Sequence, residues 1–291
     1  MPETSVCIVN WNTREFLRDC LQSLRDNVEG PAPEIIVVDN ASTDGSAQMV
    51  RAQFSDVTLI ALEENIGYAA GNNRAIEEAG GHRILLLNPD IVVQEGSVEA
   101  LHDFLDEHPE AGAVAPRLLQ PDGSVQLTCR SFPDPDVILY EALGLSRLFP
   151  HSRTFGKYRM SWWDYDDTRP VDQPMASALL IRSDVFDEIG LFDERFPIFF
   201  NDVDFCRRMW DAGWEIWFTP EAQMRHEGGA STRQVRRKMI IESHKSLLRY
   251  YHKHYQGEIC PLCYAAAVSL IHVGLWVRLG LQAVSSGPNE Q

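Results

Sequence analysis

The sequence predicts an α/β fold: a Rossmann-like, mostly parallel central sheet with helices on both faces, followed by a C-terminal helical appendage. Three observations predict it. Between residues 4 and 90, apolar runs rich in β-branched residues alternate with segments of helical periodicity. Such alternation gives parallel strands joined by crossover helices. Polar residues follow the apolar runs, and residues 231–291 form a basic and then an apolar stretch.

The first strand and the first helix are the clearest elements. The run Thr4–Asn10 is apolar and β-branched, which is typical of a buried strand. It is followed by a helix from Thr13 to Asn27, whose apolar residues recur at helical spacing. We expect the hydroxyl group of Thr13 to cap this helix.

The alternation continues through three more strands and two helices, and then weakens. The predicted elements are strand Glu34–Asp39, a helix beginning at Ser42–Gly45, strand Val57–Leu62, helix Tyr68–Glu78 and strand His82–Leu87. The stretch Pro121–Pro174 is expected to be a loop-rich excursion over the ligand site. After it come strand Met175–Ile181, helix Ser183–Ile189, helix Asp202–Ala212 and strand Glu215–Thr219.

Short polar residues or glycine follow each of the first four strands. They are Asn10 and Asn12, Asp39 and Asn40, Asn65 and Gly67, and Asn88-Pro89-Asp90. Because the carboxyl ends of parallel strands meet at one edge of a sheet, we expect a shared ligand site there. Turns and helix caps favour the same residue types, which is the alternative explanation.

The net charge limits the classes of partner. The 291 residues carry a formal net charge of −16, which argues against a nucleic-acid partner because phosphate neutralisation needs a basic surface. The charge is uneven, since the segment from Arg225 to Lys253 has eight Lys or Arg and two Glu. The acidity elsewhere is interpreted as a solubility feature.

Six cysteines are scattered along the chain, and no secretory signal precedes the first strand. We therefore expect a cytoplasmic protein whose cysteines are reduced. Cys260-Pro-Leu-Cys263 is a single CxxC motif without a second ligand pair for zinc, so packing is the expected role of these two thiols.

Six motifs occur in order along the chain. They are Val9-Asn10-Trp11-Asn12, Val38-Asp39-Asn40-Ala41-Ser42-Thr43-Asp44-Gly45, Glu64-Asn65-Ile66-Gly67-Tyr68 with Gly71-Asn72-Asn73, Leu87-Asn88-Pro89-Asp90, Gly190-Leu191-Phe192-Asp193-Glu194 and Asn201-Asp202-Val203-Asp204-Phe205. From about Ser5 to Thr232 the chain thereby resembles glycosyltransferase family 2, which has the fold called GT-A, and especially its rhamnosyltransferase-like members.

The resemblance implies an enzyme that transfers a sugar from a nucleotide-diphospho-sugar to an acceptor hydroxyl group, in the synthesis of cell-surface polysaccharide or glycolipid. Rhamnose is the first sugar that it suggests. Asn10 and Asp39 would hold the nucleoside, with Asp39 accepting a hydrogen bond from the base. Asn65, Gly67 and Asn73 would support the same pocket.

The resemblance also implies a divalent cation, Mn²⁺ or Mg²⁺. Asp90 stands at the last position of the family's metal-binding DxD motif, and Asn88 replaces the first carboxylate. With one carboxylate fewer, the cation would be held mainly together with the donor diphosphate. His226 resembles the histidine that completes the metal shell in some relatives; the alternative is a surface or capping histidine.

Asp202 matches the family's catalytic base, although the acidic residue that usually precedes it is Asn201 here. The alternative for Asp202, and the preferred interpretation of Asp204, is a carboxylate favoured by a helix N-terminus. One base with no nucleophile on the opposite face predicts a single displacement that inverts the anomeric centre.

A glycine-containing segment, Gly228–Thr232, follows His226 and leads into a basic stretch that begins with Arg233, Arg236 and Arg237. It could close over the donor diphosphate and supply positive charge, with Arg233 as a donor-binding residue. The alternative is a basic helix face.

The chain is divided at residue 230 into a GT-A domain, 1–230, and a C-terminal helical region, 231–291. Within the latter, Pro261–Val284 is largely apolar but is interrupted by His272 and Arg278. It could lie on a membrane, pack against a partner chain as in a homodimer, or span the bilayer. The basic stretch before it would favour the inner face of the plasma membrane, and a lipid-linked acceptor would explain both features.

Two other classes stay open. A sugar-1-phosphate nucleotidyltransferase would share the sheet but should show a glycine-rich basic loop after the first strand, where Val9-Asn10-Trp11-Asn12-Thr13-Arg14 stands instead. A non-catalytic nucleotide-sugar-binding or membrane scaffold protein is the second alternative, which donor hydrolysis or sugar transfer would exclude.

Overall fold

The computed structural model describes residues 2–227 and 236–285 and, within the second range, the side chains of residues 239–282. Eleven strands occur in these residues. They are β1 Thr4–Asn10, β2 Glu34–Asp39, β3 Thr58–Ala61, β4 Arg83–Leu87, β5 Ile91–Val93, β6 Ala111–Leu119, β7 Cys129–Arg130, β8 Arg169–Pro170, β9 Gln173–Pro174, β10 Ala178–Arg182 and β11 Glu215–His226.

Helices separate most of these strands along the chain. They are α1 Arg14–Asn27, α2 Ser46–Gln53, α3 Tyr68–Glu78, α4 Ser97–Glu107, α5 Pro135–Ala142, α6 Leu145–Leu148, α7 Ser183–Ile189, α8 Asn201–Asp211, α9 Arg236–His254 and α10 Pro261–Ser285.

The main sheet has nine strands in the order β3-β2-β1-β4-β10-β6-β11-β5, with β8 pairing alongside β11. The pairs formed by β1, β2, β3 and β4 are parallel, as is the pair of β6 and β11. β10 is antiparallel to both of its neighbours, and β5 and β8 are antiparallel to β11. The predicted α/β fold with a central sheet is confirmed; of the eight strand pairs in the described part of the sheet, four are parallel and four are antiparallel, and the parallel part consists chiefly of the first four strands.

Both faces of the sheet are covered by helices, as predicted. Side chains alternate across a strand, so Val6 and Ile8 of β1 pack in one apolar cluster with α1, α2 and α4. Cys7 and Val9 pack in the other, with α3, α8 and α9. At Gly71 the approach of α3 to β1 is close, because a Cβ atom there would lie 2.8 Å from Cγ1 of Val9.

β11 is longer than predicted, and the difference matters for the site. We expected it to end at Thr219, but a register shift between Thr219 and Gln223 accommodates Pro220 and lets the strand continue. Its second half pairs with β5 and places His226 opposite Ile91. His226 thereby comes to lie beside the residue that precedes β5, Asp90.

Two local predictions are wrong. Thr13 occupies the position before α1 but makes no capping hydrogen bond; its hydroxyl group points to Asn10 and donates to Oδ1 of that residue at 2.6 Å. Cys260 and Cys263 form a disulfide, with Cα atoms 5.2 Å apart, whereas reduced thiols were expected. Residues three apart at the start of a helix lie close enough for such a bond. The other four cysteines are free and buried.

The C-terminal helices pack against the rest of the protein. Tyr250 and Tyr251 of α9 belong to the same apolar cluster as the sheet and α8, and the hydroxyl group of Tyr251 donates to the carbonyl oxygen of Pro133 at 2.6 Å. α10 packs on α9 and α5. The division of the chain at residue 230 stays a prediction.

Candidate active site

A cleft of about 600 Å³ opens at the carboxyl ends of β1, β2 and β4, within the range of small-molecule sites. Trp11, Asn40 and Asn88 follow these three strands and line it. Its described lining further includes Asn65, Gly67, Tyr68, Asp90, Met175–Ser177, Ile198–Asp202, His226 and Met239.

The structure brings most of the predicted site residues together. Those that line the cleft are Asn65, Gly67, Asn88, Asp90, Asp202 and His226. Asn10, Asp39 and Asn73 are buried beside it rather than in its described lining, and Arg233 lies outside the described residues. The stretch 121–174 is loop-rich, as predicted, but its described residues do not line the cleft. Instead, Trp163 and Tyr165 stack 4.0 Å apart in the apolar core.

Asn10 and Asp39 hold two loops of the rim together. Asn10 donates from Nδ2 to Oδ1 of Asp39 at 2.8 Å, and the backbone N–H of Ser42 donates to the other carboxylate oxygen at 3.0 Å. Ala41 and Asn12 both adopt positive φ, 60° and 53°, which is costly for alanine. The network thus fixes a strained rim, a common property of functional sites.

The Asn65–Gly67 turn forms a second part of the rim. Oδ1 of Asn65 accepts the N–H of Gly67 at 2.9 Å. Gly67 has a φ of +90°, and a Cβ atom there would lie 3.0 Å from the carbonyl oxygen of Pro197. That oxygen accepts the N–H of Tyr68 at 2.7 Å. Glycine therefore lets this turn meet the loop that carries Ile198 into the cleft.

Asn73 anchors the same loop from the other side. It donates from Nδ2 to the carbonyl oxygen of Phe192 at 2.9 Å and to Oε1 of Glu194 at 3.0 Å. Its Oδ1 accepts the N–H of Phe192 at 2.9 Å. These bonds tie α3 to the segment that leads to α8.

Asp90 and His226 form a buried pair in the cleft wall. Their side chains are 8% and 4% exposed, and Nε2 of His226 lies 3.3 Å from Oδ1 of Asp90. This nitrogen nevertheless makes no hydrogen bond. The other ring nitrogen, Nδ1, lies 2.8 Å from Oε1 of Gln126, an acceptor. A neutral ring that donates from Nδ1 to Gln126 would turn the lone pair of Nε2 towards the carboxylate.

Such a pair has the character of two metal ligands. A histidine that binds a metal through one nitrogen usually donates its other N–H to an oxygen, and Nδ1 of His226 faces such an oxygen in Gln126. One imidazole nitrogen and one carboxylate oxygen would bind Mn²⁺ or Mg²⁺ with lower affinity than a full set of protein ligands would. Among the described residues, no group of three or more His, Cys, Asp or Glu is arranged for a metal ion.

Asn88 is held by Tyr68. The Tyr68 hydroxyl group lies 3.1 Å from Oδ1 of Asn88 and 3.0 Å from the carbonyl oxygen of Ala176, and its one proton is within donating distance of both acceptors. Burial raises the pKa of Tyr68, with a smaller effect from the nearby charge of Asp202. The phenol thus stays protonated and links the strand ends of β4 and β10.

Asp202 lies in the first turn of α8, on the wall of the cleft. Phe200 before it has a φ of +67°, which turns the chain sharply into the helix. The side chain is partly open to the cleft but is surrounded by protein atoms, and this burial raises the pKa of its carboxyl group. The backbone N–H groups of Val203, at 2.9 Å, and Ala176 donate to the carboxylate and oppose that shift.

Asn201 has a structural reason to be an amide. It is buried, and its Nδ2 donates to the carbonyl oxygens of Ile198 at 2.8 Å and Phe196 at 3.2 Å. A carboxylate has no proton with which to make these bonds. Asp204 is fully buried away from the cleft, against Arg208, Lys253 and His254. Burial raises the pKa of its carboxyl group, but the hydrogen bonds with His254 and Lys253 and the charges of Lys253 and Arg208 outweigh that effect and lower the pKa.

Sequence reasoning missed several functional neighbours. Tyr68 stands within a quoted motif, but its bond to Asn88 depends on the crossing of α3. Gln126 carried no signal, because it lies in the loop-rich stretch 100 residues before His226. Met175–Ser177 and Met239 line the cleft through tertiary packing alone.

The chain matches the model of the family described as Glycosyl transferase family 2 over residues 5–166. It is 31% identical over 255 residues to a Mycobacterium tuberculosis protein named N-acetylglucosaminyl-diphospho-decaprenol L-rhamnosyltransferase, an alignment that covers 83% of this chain and 81% of that protein. It is 27% identical to the low-salt glycan biosynthesis hexosyltransferase Agl10 of Haloferax volcanii, over 72% of this chain and 62% of that protein.

Solved structures share the fold at low sequence identity. A mannosyltransferase from Pyrobaculum calidifontis, solved with GDP-Man and Mn²⁺, superposes with a TM-score of 0.60 at 16% identity, over 99% of this chain and 76% of that one. S. aureus TarS 1-349 in complex with UDP superposes with a TM-score of 0.54 at 17% identity, over 84% of this chain and 65% of that one.

Proposed function

Because the chain belongs to glycosyltransferase family 2 and is a glycosyltransferase enzyme, we propose that it transfers a sugar from a nucleotide-diphospho-sugar to an acceptor hydroxyl group, with Asp202 as the general base and with inversion. One observation carries the proposal. Asp202, whose carboxylate is made more basic by burial, shares a single cleft with the Asp90–His226 pair.

Asp90 and His226 would hold a divalent cation through Oδ1 and Nε2. When bound, the cation neutralises charge on the donor diphosphate. Two protein ligands leave most of the coordination to the diphosphate and water, so metal and donor should bind together. Gln126 keeps the proton of His226 on Nδ1 and thereby keeps Nε2 free to coordinate.

Asp202 accepts the proton of the acceptor hydroxyl group as that oxygen bonds to the anomeric carbon. The bond from the anomeric carbon to the diphosphate oxygen breaks, and its electron pair leaves with the nucleoside diphosphate. Attack from the face opposite the leaving group inverts the anomeric centre. The N–H groups of Val203 and Ala176 orient the carboxylate for this transfer.

Rhamnose is the proposed sugar, with deoxythymidine-diphospho-rhamnose as the first donor to test. The support is the resemblance of the chain's motifs to rhamnosyltransferase-like members and the 31% identity to a protein named as a rhamnosyltransferase. The acceptor that we propose is lipid-linked, since that relative's name states a diphospho-decaprenol carrier.

Contact with the inner face of the plasma membrane fits such an acceptor. Within the described part of the chain, Pro261–Gln282 of α10 is long and apolar enough, by length and composition alone, to cross a membrane, and only 11% of its apolar stretch is buried. His272 and Arg278 interrupt it, so we propose that it lies on the membrane surface. A homodimer that covers the same face is the alternative.

Replacing Asp202 tests the proposal directly. Asp202→Asn should lower kcat by about 10²- to 10⁴-fold, because the general base is lost, while the donor nucleotide still raises the Tm of the protein. Transfer is measured with deoxythymidine-diphospho-rhamnose and a lipid-linked acceptor, and NMR of the product reports the anomeric configuration. Asp211→Asn, on the exposed end of the same helix, is the matched control. Near-parental transfer by Asp202→Asn, or retention of configuration, would contradict the mechanism.

A further inference from the structure

A second cavity, of about 430 Å³, lies between the loop at Arg195–Phe196, α9 and α10. Tyr264, Val268 and His272 line it from one face of α10, since they are spaced four residues apart. The cations that line it are Arg195, Arg249 and Lys253, and His252 joins His272 there.

The charge of this cavity is unusual in a chain with a net charge of −16. None of its nine described lining residues is acidic. The carboxylates that partner its cations lie outside the lining: Asp193 contacts Arg195 and Lys253, Asp204 contacts Lys253, and Glu242 contacts Arg249. The side chains of Arg195 and Arg249 remain 71% and 41% exposed. A guanidinium has five N–H donors, so each arginine can bind a further anion.

The cavity is joined to the active-site cleft by one loop. Phe196 lines the cavity, and its carbonyl oxygen accepts the amide of Asn201 at 3.2 Å. Asn201 in turn lines the cleft beside Asp202. Phe196 and Asp202 are six positions apart in the chain, which limits their Cα atoms to a separation of at most ~20 Å. A molecule seated in the cavity therefore has its near end within reach of the cleft.

Apolar surface adjoins the cations. Phe196, Leu248 and Val268 form part of the cavity wall. Beyond it, the outer side chains of α10 are open, with Trp276 72% and Val277 55% exposed. A ligand that satisfies both halves of this site carries an anionic group at one end and a long apolar chain at the other.

We propose that this cavity binds the phosphate or diphosphate group of an amphiphile, with the anion against Arg195 and Arg249 and the apolar chain along α10. Given the proposed function, this amphiphile is the lipid carrier of the acceptor. The sugar that the phosphate bears then extends along the Phe196–Asn201 loop towards Asp202.

Binding is tested on the full chain with farnesyl diphosphate, in the presence of excess nucleoside diphosphate and Mn²⁺ to occupy the cleft. Calorimetry should show that farnesyl diphosphate binds about tenfold or more tightly than farnesol or inorganic pyrophosphate, since each lacks one half of the ligand. The double variant Arg195→Gln/Arg249→Gln should lose about tenfold in affinity. Arg74→Gln, which removes an exposed arginine paired with Glu77 on α3, should lose none.

Equal binding by the double variant and the parent would overturn the proposal, as would equal binding of farnesol or of pyrophosphate. Phosphatidylglycerol vesicles distinguish a bilayer headgroup from the acceptor carrier. If phosphatidylglycerol vesicles displace farnesyl diphosphate from the parent while phosphatidylcholine vesicles do not, the cavity binds the headgroups of bulk lipid. That result would contradict the assignment of the cavity to the lipid carrier of the acceptor.

Transfer assays separate this proposal from the proposed function. The double variant should raise the KM for a lipid-diphosphate acceptor about tenfold while kcat and the donor KM stay near the parental values. A parent that binds farnesyl diphosphate through the two arginines but transfers no sugar would contradict the proposed function and leave the cavity's assignment standing.

Discussion

Gln126 contacts the nitrogen of His226 that points away from Asp90. Its Oε1 lies 2.8 Å from Nδ1, while Nε2 lies 3.3 Å from Oδ1 of Asp90 and makes no hydrogen bond. If the proposed cation is bound by Nε2, the ring proton must lie on Nδ1, where Gln126 accepts it. Gln126 would then orient His226 as a metal ligand.

Gln126→Ala should weaken Mn²⁺ binding in the presence of donor nucleotide by about 10- to 100-fold, which is typical when a residue that orients a ligand is lost. Electron paramagnetic resonance of free Mn²⁺ measures the affinity. Gln120→Ala, which removes an exposed glutamine that contacts Ser124, is the control. Unchanged affinity in Gln126→Ala would show that His226 is not oriented by this contact.

The amide at Asn201 supports the position of Asp202. Asn201→Asp would set a buried carboxylate against the carbonyl oxygens of Phe196 and Ile198, and should destabilise the protein by roughly 2–4 kcal/mol. Asn201→Ala loses the two hydrogen bonds without adding charge and should cost about 1–2 kcal/mol. Urea unfolding at neutral pH gives both values. An Asp variant as stable as the Ala variant would contradict this reason for the amide.

The pKa of Asp202 links activity to stability. Burial raises the pKa in the folded state, so the folded protein binds this proton more tightly than the unfolded chain. The stabilisation is fully present below the unfolded pKa and is lost as pH rises through the folded pKa. The ionised base therefore costs stability at neutral pH.

Asp202→Asn should accordingly be more stable than the parent at neutral pH, and the difference should shrink as the pH falls through the raised folded-state pKa of Asp202 towards the ordinary pKa of an aspartate. Urea unfolding across a pH series measures it. In the parent, kcat/KM should rise with pH along a limb whose apparent pKa lies above that ordinary value. A variant equally stable at every pH would mean that Asp202 is not desolvated.

At the scale of elements, the first four strands could be predicted because each is an apolar run bounded by turn residues. β1, β2 and β4 are buried, whereas β3 at the edge of the sheet is partly exposed. The polar residues at the strand ends follow from the same pattern. The end of β11 could not be predicted, because a proline such as Pro220 usually ends a strand and the pairing continues here only through a register shift. No local sequence pattern indicates this β-bulge.

The site was predictable to a similar depth. Residues at strand ends, such as Asn88 and Asp90, lie in the cleft as their position predicts. Asn10 and Asp39 also lie at strand ends, but their side chains turn inwards and hydrogen-bond to each other. Their direction depends on the side-chain rotamers, which position in the chain does not predict. Gln126 reaches His226 only through tertiary packing, which leaves no local signal.

α9 fixes the position of α8, which carries Asp202. Asp204 on α8 bonds to Lys253 at 2.7 Å and to His254 at 2.8 Å. Lys253 also contacts Asp193 at 2.8 Å, in the loop that leads to the cleft. The last turn of α9 therefore holds both segments that position Asp202, the proposed base.

At the scale of the whole molecule, α10 and the neighbouring α5–α6 region both carry exposed apolar side chains. α10 exposes Trp276, Val277 and Leu281, and it packs against α5. Leu143, which follows α5, is 64% exposed, and Leu148 of α6 is 69% exposed. Exposed apolar surface of this kind is typical of a site that contacts a membrane or another protein.

A bilayer is the cover that the proposed function requires, and two substitutions on α10 test it. Trp276→Ser/Leu281→Ser should weaken partitioning onto phosphatidylglycerol vesicles by at least about tenfold, because the bilayer would no longer bury these two apolar side chains. Salt should weaken the vesicle binding of the parent protein. Phe16→Ser, which removes an exposed aromatic residue from α1, is the control.

Sedimentation equilibrium shows whether the two substitutions on α10 instead convert a dimer into a monomer. A parent that dimerises and does not sediment with vesicles would assign this face to a second copy of the chain, because one apolar surface cannot be covered by both at once.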